Sequence, residues 1–168
     1  MPMVLGMRTL LSLLTVALAL MLVSGCGVTV PADPAGTLDR VRGGTLRVGV
    51  SSNPPWTDTD TDTGAEVEPA GTEAELVRRF AAALDARVEW VNGGEETLIG
   101  KLEHKELDLV IGGLTKDTPW SDKAAVTRPY TDSTTTGDSA EHVWVAPMGE
   151  NAFLFEIESF LINAEAGK

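Results

Sequence analysis

The sequence has 168 residues, enough for one compact domain with little left over. Its 25 acidic and 13 basic residues give a net charge of −12, which argues against binding to nucleic-acid phosphates or to anionic lipid. A single cysteine, Cys26, excludes an internal disulfide framework and a cysteine-based structural zinc site.

Residues 1–25 are predicted to be an export leader. Arg8 precedes an apolar run over residues 10–23, which is shorter than the roughly 20 apolar residues of a membrane-spanning helix. The run ends in Val-Ser-Gly directly before Cys26, which resembles a bacterial lipobox whose cysteine is diacylated and becomes the first residue. The alternative is an ordinary leader with a chance cysteine. Residues 26–44 are expected to be a tether, with a short helical turn at residues 37–42.

Helical and strand periods alternate over residues 45–168, which we predict to form one α/β lobe. The expected strands are residues 45–50, 87–91, 107–111 and 142–146, and the expected helices are residues 72–84, 95–105 and 151–164. This alternation is typical of βαβ units with a parallel sheet. Such sheets bind ligands beyond the carboxyl ends of their strands, where a Gly-Gly-Leu-Thr turn follows the third strand at residues 112–115.

Two helices carry the clearest patterns. Thr72 and Glu75 have the spacing of a capping box at the start of the first long helix. One face of that helix carries Leu76, Phe80 and Leu84. The final helix has a broad apolar face formed by Phe153, Leu154, Ile157, Phe160 and Leu161. Phe80 and Phe160 are therefore expected in the core.

Trp56 lies just beyond the carboxyl end of the first strand, after two prolines that end the strand. A tryptophan there is either a stacking platform for a ligand or a cover for the sheet edge. The following aspartates suggest a calcium loop, but Thr63 and Pro69 stand where an EF-hand needs Gly and Glu. We interpret this segment as a solvated acidic loop.

The two histidines, His104 and His142, have no ligand-type neighbours at metal spacing. Both are interpreted as ordinary surface or strand-end residues. No metal or cofactor is expected.

Several stretches, taken together, resemble the bacterial extracellular solute-binding proteins of family three, the amino-acid receptors of ABC importers. They are LRVGV, NPPW, GTEAEL, LDLVIGGLT and VTRPY, in that family's order and spacing over residues 45–130. The resemblance implies one lobe of the type II periplasmic-binding-protein fold, with helices on both sides of a mostly parallel sheet. It also implies an extracytoplasmic location, a small polar solute of the amino-acid or amine class, and an ABC permease as partner.

The chain departs from the family's pattern in two ways. The family has two lobes, and its chain crosses into the second just after a segment like VTRPY. Here residues 131–141 alone separate Tyr130 from the apparent returning strand HVWVA, so the second lobe is expected to be missing. In addition, Trp120 stands in place of the arginine that clamps a ligand's carboxylate, and Glu95 stands where an aromatic ring often packs on the ligand. Lys123 is nearby but lacks the guanidinium fork.

The candidate ligand-binding residues line the expected crevice: Asn53, Trp56, Glu95, Gly113, Thr115 and Trp120. Thr115 would donate its hydroxyl or amide, Trp56 a ring face and Glu95 a charge. Because the site has lost a cation and gained an acid, any ligand is expected to be cationic or neutral. The alternative is that Glu95 only begins its helix, where an acid suits the helix dipole.

Three functions are weighed. The first is a lipid-anchored solute-binding lobe. The second is a ligand-free interaction or sensor module that uses the exposed inter-lobe face, with a homodimer as one arrangement. The third is an enzyme resembling the dehydratases of this fold, which is disfavoured because a lone lobe cannot close over a substrate.

Overall fold

The computed structural model describes residues 32–59, 68–130 and 141–166. The predicted leader, Cys26 and most of the acidic loop lie outside these residues, as do residues 131–140. Five strands form one mixed sheet in the order β2-β1-β3-β5-β4. The strands are β1 Thr45–Val50, β2 Arg87–Asn92, β3 Leu109–Ile111, β4 Ala125–Val126 and β5 Val145–Ala146. The helices are α1 Thr37–Val41, α2 Thr72–Ala83, α3 Glu95–Glu103 and α4 Asn151–Ala166.

The sheet is parallel on one side and antiparallel on the other. β1 pairs in parallel with both β2 and β3, through the two helices α2 and α3. β5 runs antiparallel to β3 and to β4. The predicted class, one three-layer α/β lobe, is confirmed, and the sheet is mixed because β5 runs antiparallel to both of its neighbours. β4 was not among the strands expected from the sequence.

The core has one layer on each face of the sheet. Alternating residues of β1 and β3 point to α1, α2 and α4, where the cluster includes Leu46, Val48, Leu109, Phe80 and Phe153. The opposite face packs on α3 through Val110, Val145, Leu98, Ile99 and Leu102. Phe80 is buried as predicted, whereas Phe160 is only partly buried and packs at the edge of this layer with its ring 5.3 Å from that of Phe80. Among the described residues, no helix is long and apolar enough to cross a membrane.

Residues 32–44 belong to the lobe, which corrects the predicted tether of residues 26–44. The side chain of Asp33 accepts hydrogen bonds from the amides of Leu38 in α1 and of Ala152 and Phe153 in α4, at 2.8–3.0 Å. Glu150, directly before α4, accepts the amide of Thr37 at 3.2 Å in return. Each acid thus binds the unpaired amides of the other's helix, so this segment is fixed rather than a free linker.

The predicted capping box at α2 is wrong. The N-cap is Gly71, with φ of 105°. Among the residues that the structure describes, no side chain caps this helix end, and the buried hydroxyl of Thr72 has no hydrogen-bond partner. Any side chain at residue 71 would collide with the backbone carbonyl of Trp56. Glu75 instead lies 3.5 Å from Arg78 on the helix surface. Close packing of the chain against Gly71 therefore replaces a side-chain cap.

Candidate functional site

The turn at residues 112–115 lies at the carboxyl ends of the two central parallel strands. β3 ends at Ile111 opposite Val50 of β1, and the amide of Ser51 donates to the carbonyl of Ile111 at 3.0 Å. Gly113 has φ of 64°, a backbone conformation that residues other than glycine rarely adopt. The position predicted for a ligand crevice is therefore a tight turn at the end of the central strands.

A buried carboxylate holds this turn in place. Glu73, in the first turn of α2, is fully buried, and its Oε2 accepts the amides of Gly112 at 2.9 Å and Gly113 at 2.8 Å. Its Oε1 accepts the hydroxyl of Tyr130, and the indole N–H of Trp144 donates to that hydroxyl oxygen at 3.1 Å. Because the amide of Gly113 is engaged, its contribution to a ligand would come from its missing side chain or its carbonyl.

Two opposing effects act on the pKa of Glu73. Burial raises the pKa of its carboxyl, since the charged form loses its hydration. The hydrogen bonds from Tyr130, Gly113 and Gly112 oppose that shift without cancelling it. The sequence offered Glu73 only as a residue of the GTEAEL stretch, and nothing local in the sequence indicated that it binds the turn.

Asn53 and Trp56 cover the turn from the loop after β1. The amide nitrogen of Asn53 donates to the carbonyl of Gly112 at 3.0 Å. A side chain at Gly113 would lie 2.6 Å from Cδ1 of Trp56, so the indole rests directly on this glycine. Trp56 is only 7% exposed, and its ring lies 3.9 Å from that of His142. Trp56 thus covers the sheet edge in this structure, and one of its faces is already occupied.

Glu95 and Trp120 meet at the start of α3. The indole N–H of Trp120 donates to Oε2 of Glu95 at 3.0 Å, and the ammonium of Lys123 lies 5.9 Å from the Trp120 ring. Both residues of the pair are partly exposed. The two positions singled out by the sequence are therefore in direct contact, and the acid has both an indole donor and a cation in its surroundings.

Thr115 ends the turn and is partly exposed. Its backbone forms a bridge with that of His142, and its carbonyl accepts the amide of Thr118 at 2.9 Å. Thr115 is thereby fixed beside the start of the final strand.

His142 is the residue that sequence reasoning missed. It was interpreted as an ordinary surface or strand-end residue, but its side chain is buried and contacts Trp56. One signal was available: His142 alternates with Trp144 and Ala146, and both of these pack on the α2 face of the sheet. His104, by contrast, is exposed at the end of α3, as predicted. Among the described residues, no cluster of three or more His, Cys, Asp or Glu could hold a metal ion.

Comparison with known proteins decides the family. The model of the bacterial extracellular solute-binding proteins, family 3, matches residues 46–161, more than half of the chain. The chain belongs to this family. No curated protein matches it.

Solved structures show the same fold as this family 3 chain. The arginine-bound form of domain 1 from TmArgBP is 24% identical, with 74% of this chain and 97% of that chain covered and a TM-score of 0.62. A mutant of ArgBP from T. maritima is 16% identical, with 78% and 94% covered and a TM-score of 0.64. An ancestral cyclohexadienyl dehydratase is 15% identical, with 82% and 93% covered and a TM-score of 0.66. At these identities the likeness establishes the fold alone, and the match to an isolated domain fits the predicted single lobe.

Proposed function

We propose that this family 3 protein is a lipid-anchored, extracytoplasmic lobe that binds a small polar solute of the amino-acid or amine class for ABC-type uptake. The observation that carries the proposal is the family match over residues 46–161, which includes the turn at residues 112–115 and the helix that binds it. The family is one of extracellular solute-binding proteins, and this supports a position outside the cytoplasm. An ABC permease would be the membrane partner.

The anchoring part of the proposal rests on the sequence. Residues 1–25 would be removed as a leader, and Cys26 would carry the lipid. Because the chain is packed on the lobe from residue 32 onward, the tether reduces to residues 26–31. An extended chain spans at most about 3.3–3.6 Å per residue, so such a tether would hold the lobe close to the membrane surface.

The ligand preference rests on Glu95 and Trp120. A carboxylate clamp needs a bidentate guanidinium, and Trp120 at that place offers one indole donor, which Glu95 already accepts. Glu95 is a partly exposed acid in a chain of net charge −12. A cationic or neutral solute is therefore favoured over an anionic one.

A thermal-shift screen of the mature chain tests this function, with Cys26→Ser introduced to keep the protein in solution. The screen compares lysine, putrescine, betaine and glutamate. A solute at 100 times its dissociation constant raises the free energy of unfolding by about 2.7 kcal/mol. A shift with at least one amine or amino acid supports solute binding, whereas no shift with any of the four at millimolar concentration contradicts it.

A second candidate function is a ligand-free interaction module, and one observation favours it. Several groups of the crevice already contact one another: Trp120 binds Glu95, Trp56 rests on Gly113, and Glu73 accepts the turn's amides. In that case the face that meets the second lobe in two-lobe relatives would bind a partner or a second copy of this chain. A concentration-dependent dimer in light scattering, together with no thermal shift, would support this function over solute binding.

Catalysis is not part of the proposal. A dehydratase needs a positioned acid or base inside a closed, dry site. Glu73 is buried but committed to three hydrogen bonds, and Glu95 is partly exposed to water.

A further inference from the structure

His142 is a buried polar side chain whose hydrogen-bonding capacity is unused. Its side chain is 3% exposed, and in the part of the chain that the structure describes, neither ring nitrogen has a hydrogen-bond partner. Each ring nitrogen of an imidazole is either a hydrogen-bond donor or an acceptor. Native proteins leave few such groups buried and unsatisfied. The exception therefore calls for a partner that joins from outside.

The backbone fixes His142 beside the turn at residues 112–115. Its carbonyl accepts the amide of Tyr130 at 2.9 Å, and its neighbour Val143 donates to the carbonyl of Leu114 at 2.9 Å. Backbone bridges pair His142 with Thr115 on one side and with Tyr130 on the other. The ring is thus held at the crevice end of the sheet rather than deep in the core.

The ring of Trp56 packs against the ring of His142. The two ring centroids are 3.9 Å apart with an angle of 40° between the planes. The Trp56 ring also lies against Gly113, where a side chain would collide with it. Residues 52–55, which lead into Trp56, are exposed to solvent. Access of a solute to His142 would require a change in the side-chain torsions of Trp56.

We propose that His142 is a ligand-binding residue, covered by Trp56 in this structure, and that the ammonium group of a small amine hydrogen-bonds to its ring when Trp56 turns aside. The proposal rests on the proposed solute-binding function and specifies the group that recognises the solute. A neutral imidazole accepts a hydrogen bond from an ammonium N–H. A carboxylate is disfavoured by the net charge of −12 that the chain carries.

Histidine-selective acylation of the mature Cys26→Ser chain tests whether His142 becomes accessible. Diethyl pyrocarbonate acylates unprotonated imidazole nitrogen, and mass spectrometry of peptides reports each site separately. The chain contains two histidines, so the exposed His104 is an internal reference. We expect His142 to be acylated more slowly than His104 but to completion, with putrescine slowing His142 about tenfold and leaving His104 unchanged. Glutamate should protect neither.

Two variants separate ligand contact from simple packing. Trp56→Leu should speed acylation of His142, because the covering ring is gone. His142→Gln should weaken putrescine binding about tenfold or more, whereas His104→Gln should leave it unchanged. Calorimetric titration measures the putrescine affinity of both histidine variants.

The outcomes distinguish this inference from the proposed function. An unreactive His142 in a sample where His104 is fully acylated overturns the inference. So does a lack of protection by putrescine. If another solute of the panel stabilises the lobe while His142 stays unprotected, solute binding stands and the role of His142 is wrong. If no solute stabilises the lobe and none protects His142, both fail.

Discussion

The carboxylate of Glu73 and the hydroxyl of Tyr130 are hydrogen-bonded inside the lobe, although 57 residues separate them in the chain. Glu73 lies in the first turn of α2, and Tyr130 follows β4 in the chain. The same carboxylate accepts the amides of Gly112 and Gly113. One buried acid therefore joins α2, the turn at residues 112–115 and Tyr130. This geometry makes the turn a rigid part of the lobe.

Glu73→Gln should change how stability depends on pH. The folded-state pKa of Glu73 is raised by burial, so its contribution to the free energy of unfolding is largest below the unfolded pKa of about 4.3. That contribution falls as the pH rises through the folded pKa, by at most about 1.4 kcal/mol per pH unit. Relative to wild type, the Gln variant should therefore gain stability with rising pH.

Urea unfolding between pH 4 and pH 8 measures this difference. Glu75→Gln, on the exposed side of the same helix, is the matched control and should run parallel to wild type. A constant difference between Glu73→Gln and wild type across this range would show that the pKa of Glu73 is not raised.

Asp108→Asn should destabilise the other end of the sheet. The carboxylate of Asp108 is buried and accepts paired hydrogen bonds from Arg47, at 2.7 and 3.1 Å, and from Arg40, at 2.6 and 3.2 Å. Burial alone would raise its pKa, but the bonds from the two arginines outweigh burial and lower it. Removing the charge leaves both guanidinium groups without their counter-ion, at a cost of about 1–3 kcal/mol because both arginines are partly exposed to water.

The pH dependence of Asp108→Asn should have the opposite sign to that of Glu73→Gln. A lowered folded-state pKa gives stability that is present above the unfolded pKa and lost as the pH falls through the folded pKa. The deficit of Asp108→Asn should therefore be full at pH 7 and shrink in strong acid. Asp117→Asn, at an exposed site, should cost less than about 0.5 kcal/mol. A deficit that persists unchanged at pH 2 would contradict the arginine-paired charge.

Two phenylalanines that looked alike in the sequence should now differ. Phe80 is 1% exposed and its ring packs near those of Trp144, Phe153 and Phe160, so Phe80→Ala should cost about 3–5 kcal/mol. Phe160 is partly buried, so Phe160→Ala should cost roughly half as much. Equal losses in chemical denaturation would mean that Phe160 is also a core residue.

The sequence patterns located the repeating elements well, because helix and strand periods are local. The strand TLRVGV and the apolar face of α2 could be read from neighbours three or four residues apart. The contacts that define the site could not. Glu73 reaches the turn 39 residues away, and Asp33 caps α4 at Ala152, 119 residues away. Such pairs depend on how the elements pack, and no spacing rule in a single sequence encodes them.

The sequence indicated one contact of the candidate site but not another. Glu95 and Trp120 were predicted to share the crevice, and they do contact each other. That Trp56 would rest on Gly113 and cover His142 could not be predicted, because it depends on the fold of residues 52–55 and on a glycine with positive φ.

Replacing Cys26 by Ser should release the protein from the membrane fraction and abolish palmitate labelling. The physical reason is that stable anchoring needs several acyl chains, each contributing about 0.8 kcal/mol per buried methylene. Ser24→Ala, two residues earlier, keeps a small residue before the cysteine and should label normally. Continued labelling of the Ser variant would show that Cys26 is not the lipidated residue.

Glu95→Gln should separate a ligand-binding acid from a residue that only begins α3. If Glu95 attracts the solute, its loss should weaken binding of lysine or putrescine, by about tenfold for a charge-assisted hydrogen bond, while the melting temperature changes little. If Glu95 serves only the helix dipole, Glu95→Gln should lower stability by about 0.3–1 kcal/mol and leave affinity unchanged. Glu96→Gln, an exposed acid in the same first turn, is the matched control for the dipole effect.

Calorimetric titration of wild type and both variants with lysine, putrescine, betaine and glutamate decides between these roles. In the ligand-binding case the cations lose affinity in Glu95→Gln alone, and betaine changes less because its quaternary nitrogen donates no hydrogen bond. Salt should weaken the binding of putrescine more than that of betaine, since putrescine carries two charges. Tight binding of glutamate that is unaffected by Glu95→Gln would overturn the preference for a cation. The site would then accept a ligand with two carboxylates in a field that should repel it.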